Sequence, residues 1–435
     1  MTRFKTAVHN RIYYMKKMFG TNAGVYVYEG IVCSLGLNLV LNNNYLFLTR
    51  MGASDYQLSF IQMTPHLLNM IILIPIGIVA DSLSSKKKMV MFSLAMIAVF
   101  YMAAMTAPYL GDLKIVWFIV MCSVSAGMFT MYSVSWQSFF SEAVPVSERN
   151  RTLSARQRWR MVPGMLVPVI SGAVLSFLPA VESKIKAHQT FFVISAAVTV
   201  SQIFLVNKLR SGTPAPVIGI SIGNLKKAAS ALVKNKKFLF FCGTILICYM
   251  AFQFDWTLYF IGMTRYLDMN EALIGVTVLS EALAAFLSVK FWSRLNEKYG
   301  VTLPLFFGLL LICLFPVVIV MATKMVSGAR IYLFLIGYAT ASVGMACFWL
   351  NVFQCLLTTL ANEYRTISIS IFSVLTSLSN ALMPLTGVAL YNKFGADLRA
   401  FTIVCAIIFF FRLFAAGLWL FRWYVTEGRA AKANT

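Results

Sequence analysis

The chain has 435 residues, of which 59% are hydrophobic and only 12% charged. A soluble domain carries about 45–50% apolar and about 25% charged residues, so a water-soluble globule is excluded, and the 14% aromatic content excludes intrinsic disorder. The 37 Lys and Arg against 15 Asp and Glu give a formal charge of +22, yet these basic residues punctuate long apolar runs and do not build the solvated basic surface of a nucleic-acid binder.

The chain opens with Arg3, Lys5, Arg11, Lys16 and Lys17 among Phe4, Ile12, Tyr13, Met15 and Phe19, so residues 1–22 read as a basic amphipathic segment on a membrane surface. The apolar run that follows is too long for the h-region of a cleavable signal. A membrane helix needs about 20 mainly apolar residues, and twelve such runs follow. The first six are 23–47, 56–80, 89–110, 115–140, 161–178 and 191–206; the second six are 238–263, 272–291, 303–321, 331–357, 367–390 and 401–423. Lipid cannot satisfy an open backbone group, so all are expected to be helices. The fold class is therefore an all-α membrane protein of twelve transmembrane helices in two six-helix bundles, residues 23–206 and 238–423. A linker over 207–237, with a breaker cluster at 211–216 and an amphipathic stretch after it, joins them, and 424–435 form a tail.

Sorting basic residues by loop puts 27 on the face that holds both termini and the linker, nine on the other, and Arg412 inside a span. Basic loops stay in the cytoplasm, so both termini are expected there, in a multi-pass protein of the cytoplasmic membrane. The eight Cys all fall inside apolar runs without a CxxC pair, which reads as core filling and not as metal or disulfide chemistry. No cofactor or metal is implied.

Three acids lie inside spans, Glu29, Asp255 and Glu281. A charge at the bilayer centre costs ~2.5–3.5 kcal/mol on insertion scales, so such residues face a cavity or a partner. Glu281 is the leading candidate for carrying a coupling proton, and a difference of 215 positions makes His66 its repeat mate. His66 shares a helix face with Gln62. Asp255 follows Gln253, Glu29 shares a face with Asn43, and Arg412 is a possible counter-ion for any of the three acids. Structural ion pairing is the alternative for each. Gln137 in span 4, and Asn351 and Gln354 in span 10, belong to polar stripes that face protein or water and not lipid.

The two halves repeat. Thr49-Arg50 to Leu58 matches Thr264-Arg265 to Leu273, Arg151-Thr-Leu-Ser matches Arg365-Thr-Ile-Ser, and Pro168 and Gly172 match Pro384 and Gly387. Parallel repeats of this kind place a cavity at their interface near the midplane. The end of span 2 carries Gly77, Asp81 and Lys86–Lys88; the end of span 8 carries Glu297 and Gly300. On these residues the chain resembles the major facilitator superfamily, although Ser84 stands where that family prefers Gly. Span 5, with Gly164, Pro168 and Gly172, is similar to the Gly-Pro signature of drug:proton antiporters, with Val167 and Ser171 in place of two glycines. The intramembrane Arg expected in span 4 of such antiporters is replaced by Ser123.

The resemblance implies secondary transport by alternating access, a monomer in the bilayer, a small-molecule substrate and a coupling proton, with Asp81, Arg151 and Arg365 at gates or helix anchors. Export is favoured over import of a nutrient or organic ion; a lipid flippase is a variant of the same fold. An intramembrane transferase would need an Asp cluster or a catalytic His among polar neighbours, and the sequence has three His and no such cluster. No GxxxxGK[ST] loop for ATP is present.

Overall fold

The computed structural model describes residues 21–82, 86–210, 230, 234–359 and 365–428, apart from some side chains within them. The amphipathic N-terminal segment, most of the linker and residues 429–435 lie outside the described residues.

Fifteen helices are named in chain order: α1 (Asn22–Leu41), α2 (Asn44–Arg50), α3 (Asp55–Ser82), α4 (Lys86–Met105), α5 (Lys114–Ala143), α6 (Val146–Phe177), α7 (Val181–Lys208), α8 (Lys236–Gln253), α9 (Trp256–Ile261), α10 (Glu271–Tyr299), α11 (Thr302–Ile312), α12 (Leu314–Thr323), α13 (Ser327–Thr359), α14 (Arg365–Lys393) and α15 (Leu398–Trp423). Three pairs, α1–α2, α8–α9 and α11–α12, are single spans with a break. Counting each pair once leaves twelve helical segments, six before the linker and six after it, and no strand among the described residues. Eleven of them are long and apolar enough to cross a membrane, and α3 is 28 residues long.

Helix starts are marked by local chemistry. Thr21, Asn235, Asn270 and Asp397 each accept a hydrogen bond from the backbone N–H three residues on, which satisfies a donor the helix leaves open. At the far end of α10, Gly300 has φ +74°, a conformation that any other residue adopts at a cost. Its place in the signature-like stretch thus has a local explanation.

The boundary differing most from the sequence reading is that of α6. The stretch 149–160 reads as a charged loop, but α6 runs unbroken over 32 residues from Val146. Burial recurs at helical spacing through it, at Thr152, Arg156, Pro163, Val167 and Ser171. Arg156 therefore belongs to the protein interior and not to the loop charge.

By contacts the chain divides into two units. The first comprises Met1–Phe47, Ile71–Val167 and Ala180–Gly219; the second comprises Leu48–Met70, Pro168–Pro179 and Ile220–Thr435. In the first, α4 packs on α5 and α7, and α7 on α1. Polar groups stitch these contacts: Ser195 donates to the Gly36 carbonyl at 3.0 Å, Gln189 to the Met105 carbonyl at 3.0 Å, and Lys86 pairs with Glu142 at 2.6 Å. In the second, an aromatic-rich core including Phe241, Phe348, Phe372 and Trp419 joins α8, α13, α14 and α15. All eight Cys are buried.

Candidate functional site

The first unit holds a carboxylate in a closed ring of donors. Glu29 on α1 is fully buried. It accepts hydrogen bonds from the Tyr132 hydroxyl and the Gln202 amide, from Trp136 Nε1 at 3.1 Å, and from Arg156 Nη2 at 2.7 Å and Nε at 3.3 Å. The Arg156 guanidinium also lies 3.9 Å from the Trp136 ring centroid, a cation–π contact. Gly30 makes room for it, since a Cβ there would fall 2.5 Å from Arg156 Cγ. The members come from four helices, α1, α5, α6 and α7. The arrangement compensates a buried charge with an opposite charge and several hydrogen bonds, as burial requires.

Of this cluster only Glu29 stands out in the sequence. Arg156 is hidden among loop-like charges. Tyr132 and Trp136 are one turn apart on α5, and Gln202 ends a polar stripe with Ser195 and Thr199 on α7. Those spacings are the signal that could have found them. A cleft lined by Cys33, Leu37, Leu94, Tyr101, Phe129 and Gln202 adjoins the cluster.

The second unit holds the other two acids, with different surroundings. Helix α8 ends at Gln253, and the break before α9 leaves carbonyls without helical partners. Arg412 on α15 answers them. Its Nε donates to the Ala251 carbonyl at 3.1 Å and its Nη2 to the Phe252 carbonyl at 3.1 Å. Its Nη1 donates to the carbonyl of Ile312, where α11 breaks, at 3.0 Å. Its Nη2 also meets Asp255 Oδ1 at 2.7 Å. One guanidinium thus caps two broken helices and neutralises the acid at one of the breaks; a cation at helix C-termini is electrostatically favoured. The other carboxylate oxygen of Asp255, Oδ2, is buried with no hydrogen-bond partner, and so is the hydroxyl of Tyr259, one turn further on.

Glu281 lies half-buried in α10. The Tyr338 hydroxyl of α13 donates to its Oε2 at 3.1 Å. Among the described residues no cation pairs with it. The Tyr338 and Tyr259 rings are 6.0 Å apart, centroid to centroid.

A third constellation sits at one end of the second unit. Arg50 of α2 pairs with Glu271 at the start of α10. Arg265 grips Asp55 at the start of α3 in a bidentate pair, at 2.9 and 3.2 Å, and also donates to the Tyr391 hydroxyl at 3.1 Å. Arg50 and Arg265 are the repeat-related arginines, and each binds the acid that opens the helix following the other. Beside them α6 crosses α10 at van der Waals limits. A Cβ on Gly172 would collide with the Glu271 carbonyl, and one on Gly275 with the Pro168 carbonyl. Gly164 has no such neighbour; a Cβ there would meet only Asn38 Nδ2, at 3.8 Å.

The remaining candidates lie apart from these clusters. His66 and Gln62 are half-buried on α3. Asn43, at the α1–α2 break, donates to the Leu39 carbonyl at 2.8 Å. Asn351 is fully buried and exchanges amide hydrogen bonds with Asn296 of α10 at 2.6 and 3.1 Å, next to a close α11–α13 contact at Gly308 and Gly344. Gln137, Gln354, Glu297 and Arg151 are exposed. Gly77 and Asp81 lie in the last turns of α3 and Arg365 begins α14, but the side chains there lie outside the described residues. Among the described residues no group of three or more His, Cys, Asp or Glu could hold a metal ion.

Comparison with known proteins shows what this architecture is similar to. The model of the Major Facilitator Superfamily matches residues 241–434. No curated protein matches the chain. Among solved structures, a bacterial homologue of the iron transporter ferroportin in an inward-facing state superposes with a TM-score of 0.72 at 13% identity, covering 92% of this chain and 98% of that one. A bacterial homologue of the human lysosomal transporter Spinster gives 0.67 at 12%, over 94% and 97%. The nucleoside transporter NupG gives 0.70 at 11%, over 92% and 99%. At such identities the superpositions speak for fold alone. The second half of the chain is thus similar to the Major Facilitator Superfamily, and nearly the whole length shares the fold of these solved structures.

Proposed function

We propose that the protein is a secondary active transporter that carries a small molecule across the cytoplasmic membrane by alternating access, coupled to protons, with its two six-helix halves at 23–206 and 238–423 rocking about a central site. The observation that carries the coupling is Glu281, an acid midway along a membrane helix with a tyrosine hydroxyl beside it and, among the described residues, no cation paired with it. A carboxyl in that setting gains a proton readily and loses it when water reaches it. Glu29, by contrast, is locked by two hydrogen bonds from Arg156 and three more from Tyr132, Trp136 and Gln202. Export is the proposed direction, on the similarity of the Gly164–Gly172 stretch to drug:proton antiporters. The neighbours are named for iron and for nucleosides, cargoes without common chemistry, so the fold does not choose the substrate.

A thermal-shift screen of the purified protein against antibiotics, lysolipids, sugars and amino acids supplies a transported probe. Flux of that compound is then followed in proteoliposomes with and without an imposed pH gradient. The gradient is expected to speed wild-type flux severalfold and to leave Glu281→Gln flux unchanged. A Glu281→Gln protein whose flux still follows the gradient removes Glu281 from the coupling role.

A further inference from the structure

We propose that the second unit binds an uncharged aromatic molecule as substrate, laid on a wall of rings formed by Tyr249, Phe252 and Trp256 of α8 and α9 and by Phe348 and Trp349 of α13. The inference names a substrate class for the transporter proposed above and rests on that reading.

The wall is continuous. The Trp256 ring meets Phe252 at 5.8 Å, centroid to centroid, Phe252 meets Phe348 at 5.9 Å, and Phe348 meets Trp349 at 5.6 Å. Tyr249 backs the far end, 5.1 Å from Phe348 and 6.3 Å from Trp349. These are the spacings of favourable aromatic pairs. Tyr249, Phe252 and Phe348 are buried, whereas Trp256 is 40% and Trp349 55% exposed. Two indoles thus stand open on a close-packed backing.

Neither indole points to lipid. From Cys248 to Gly262 every residue is buried or half-buried except Trp256, and the span it belongs to, Lys236–Tyr266, has the most deeply buried apolar stretch of the eleven candidates. A helix enclosed by protein has no lipid side, so the opening at Trp256 is internal. On α13 the exposed residues Tyr332, Ile336 and Thr340 recur every fourth position and mark its lipid side. Trp349 follows Ile336 by thirteen residues, which at 3.6 residues per turn sets it about 140° round from that side. It shares its own side with Tyr338, Ser342 and Met345, none of them exposed.

The chemistry of the wall selects the occupant. A ring laid on an indole gains both buried area and the attraction of offset or edge-on rings; a saturated chain gains only the first. A cation would also be drawn to an indole face, but inside a membrane it needs a counter-charge. Asp255, next to Trp256, is already paired at 2.7 Å with Arg412, whose guanidinium lies 5.9 Å from the Phe252 centroid. Glu281 is held by Tyr338, whose ring packs on Tyr259, Phe315 and Phe334 and not, among the described residues, on the wall. An uncharged aromatic ring asks for no counter-charge, and ligand pockets are commonly lined in this way.

The test titrates dansylamide, an uncharged aromatic probe, into the full-length protein in nanodiscs, reading directly excited dansyl emission above that of empty nanodiscs. Saturable binding is expected. Benzamide should displace the probe at concentrations severalfold lower than cyclohexanecarboxamide, its saturated counterpart, or benzamidinium, its cationic one. Trp349→Leu should weaken probe binding ~3–10-fold and Trp349→Phe less than about twofold. The Trp349 side chain is mostly exposed, so the melting temperature should stay near that of wild type; if Trp349→Leu fails to fold, Trp256→Leu carries the same expectation. Absence of saturable binding, wild-type affinity in the folded Leu variants, or equal displacement by all three competitors overturns the proposal. The readout needs neither flux nor a pH gradient. Ring binding by a protein that shows no gradient-driven flux would reject proton-coupled transport and leave the site standing, and gradient-driven flux in a protein that fails the binding test would do the reverse.

Discussion

At the scale of single residues, the three intramembrane acids share a residue class and differ in their neighbours. The sequence marks Glu29, Asp255 and Glu281 equally, because an acid in an apolar run needs a partner whoever that is. Which partner it finds depends on side chains about 57 to 173 positions away, and no local pattern encodes that. Arg412 was legible as a buried cation, but its assignment to Asp255 follows from the α8–α9 break, where it also serves three carbonyls. Arg156 was not legible, because five basic residues in twelve look like a solvated loop. The contrast has a measurable consequence. Removing one partner of a buried, hydrogen-bonded ion pair costs about 3–5 kcal/mol, since the other charge is stranded. Glu29→Gln is therefore expected to lower the melting temperature of the purified protein well below that of Glu281→Gln, which strands no cation. Equal melting temperatures for the two variants would show that the Glu29–Arg156 pair does not hold the first unit together.

At the scale of elements, helix identity was legible and helix continuity was not. The apolar runs announce twelve helices because lipid permits little else. The breaks at Asn42–Asn43, at Phe254–Asp255 and at Cys313 carry no Pro or Gly, the usual causes of a sharp kink. Side chains cap the open ends, Asn42 and Asn43 locally at the first and Arg412 from α15 at the other two. Gly387 adds to this from α14, where a Cβ would collide with the carbonyl of Phe254. Pro168 and Gly172 were read as a signature; the structure gives that stretch a physical task, the close crossing of α6 on α10. The two reciprocal ion pairs beside this crossing tie α2 to the start of α10 and the start of α3 to the turn that follows α9. They are not equal. Arg265 is 48% exposed, and a pair in that setting is worth about 1 kcal/mol or less. Glu271 is only 4% exposed, so loss of its arginine leaves a poorly solvated carboxylate. Arg50→Gln is thus expected to destabilise the protein more than Arg265→Gln, with the Arg265 effect fading in high salt. Thermal melts of both variants at low and high ionic strength check the order, and the reverse order would make the Arg265 pair the principal tie.

At the scale of the whole molecule, the informative quantity is where charge is placed. A net +22 on 435 residues has no use in stabilising a membrane fold; like charges repel. Its unequal division between loop faces, 27 basic residues against nine, is what orients a polytopic chain during insertion. Two of the 27, Arg156 and Arg422, are buried in the structure, so the exposed asymmetry is smaller than the count from loops. It still keeps its sign, because the N-terminal segment and the linker contribute twelve of the remainder. We therefore expect both termini in the cytoplasm. In a bacterial host, a fluorescent protein fused after Thr435 should fold and emit, whereas alkaline phosphatase fused at the same point should stay inactive. Phosphatase inserted between Ala396 and Asp397, on the sparsely charged face, should be active. An active phosphatase at the C-terminus would invert the topology. It would also turn the Arg50–Glu271 and Arg265–Asp55 pairs, which lie on the face opposite the linker in this reading, into ties on the cytoplasmic side.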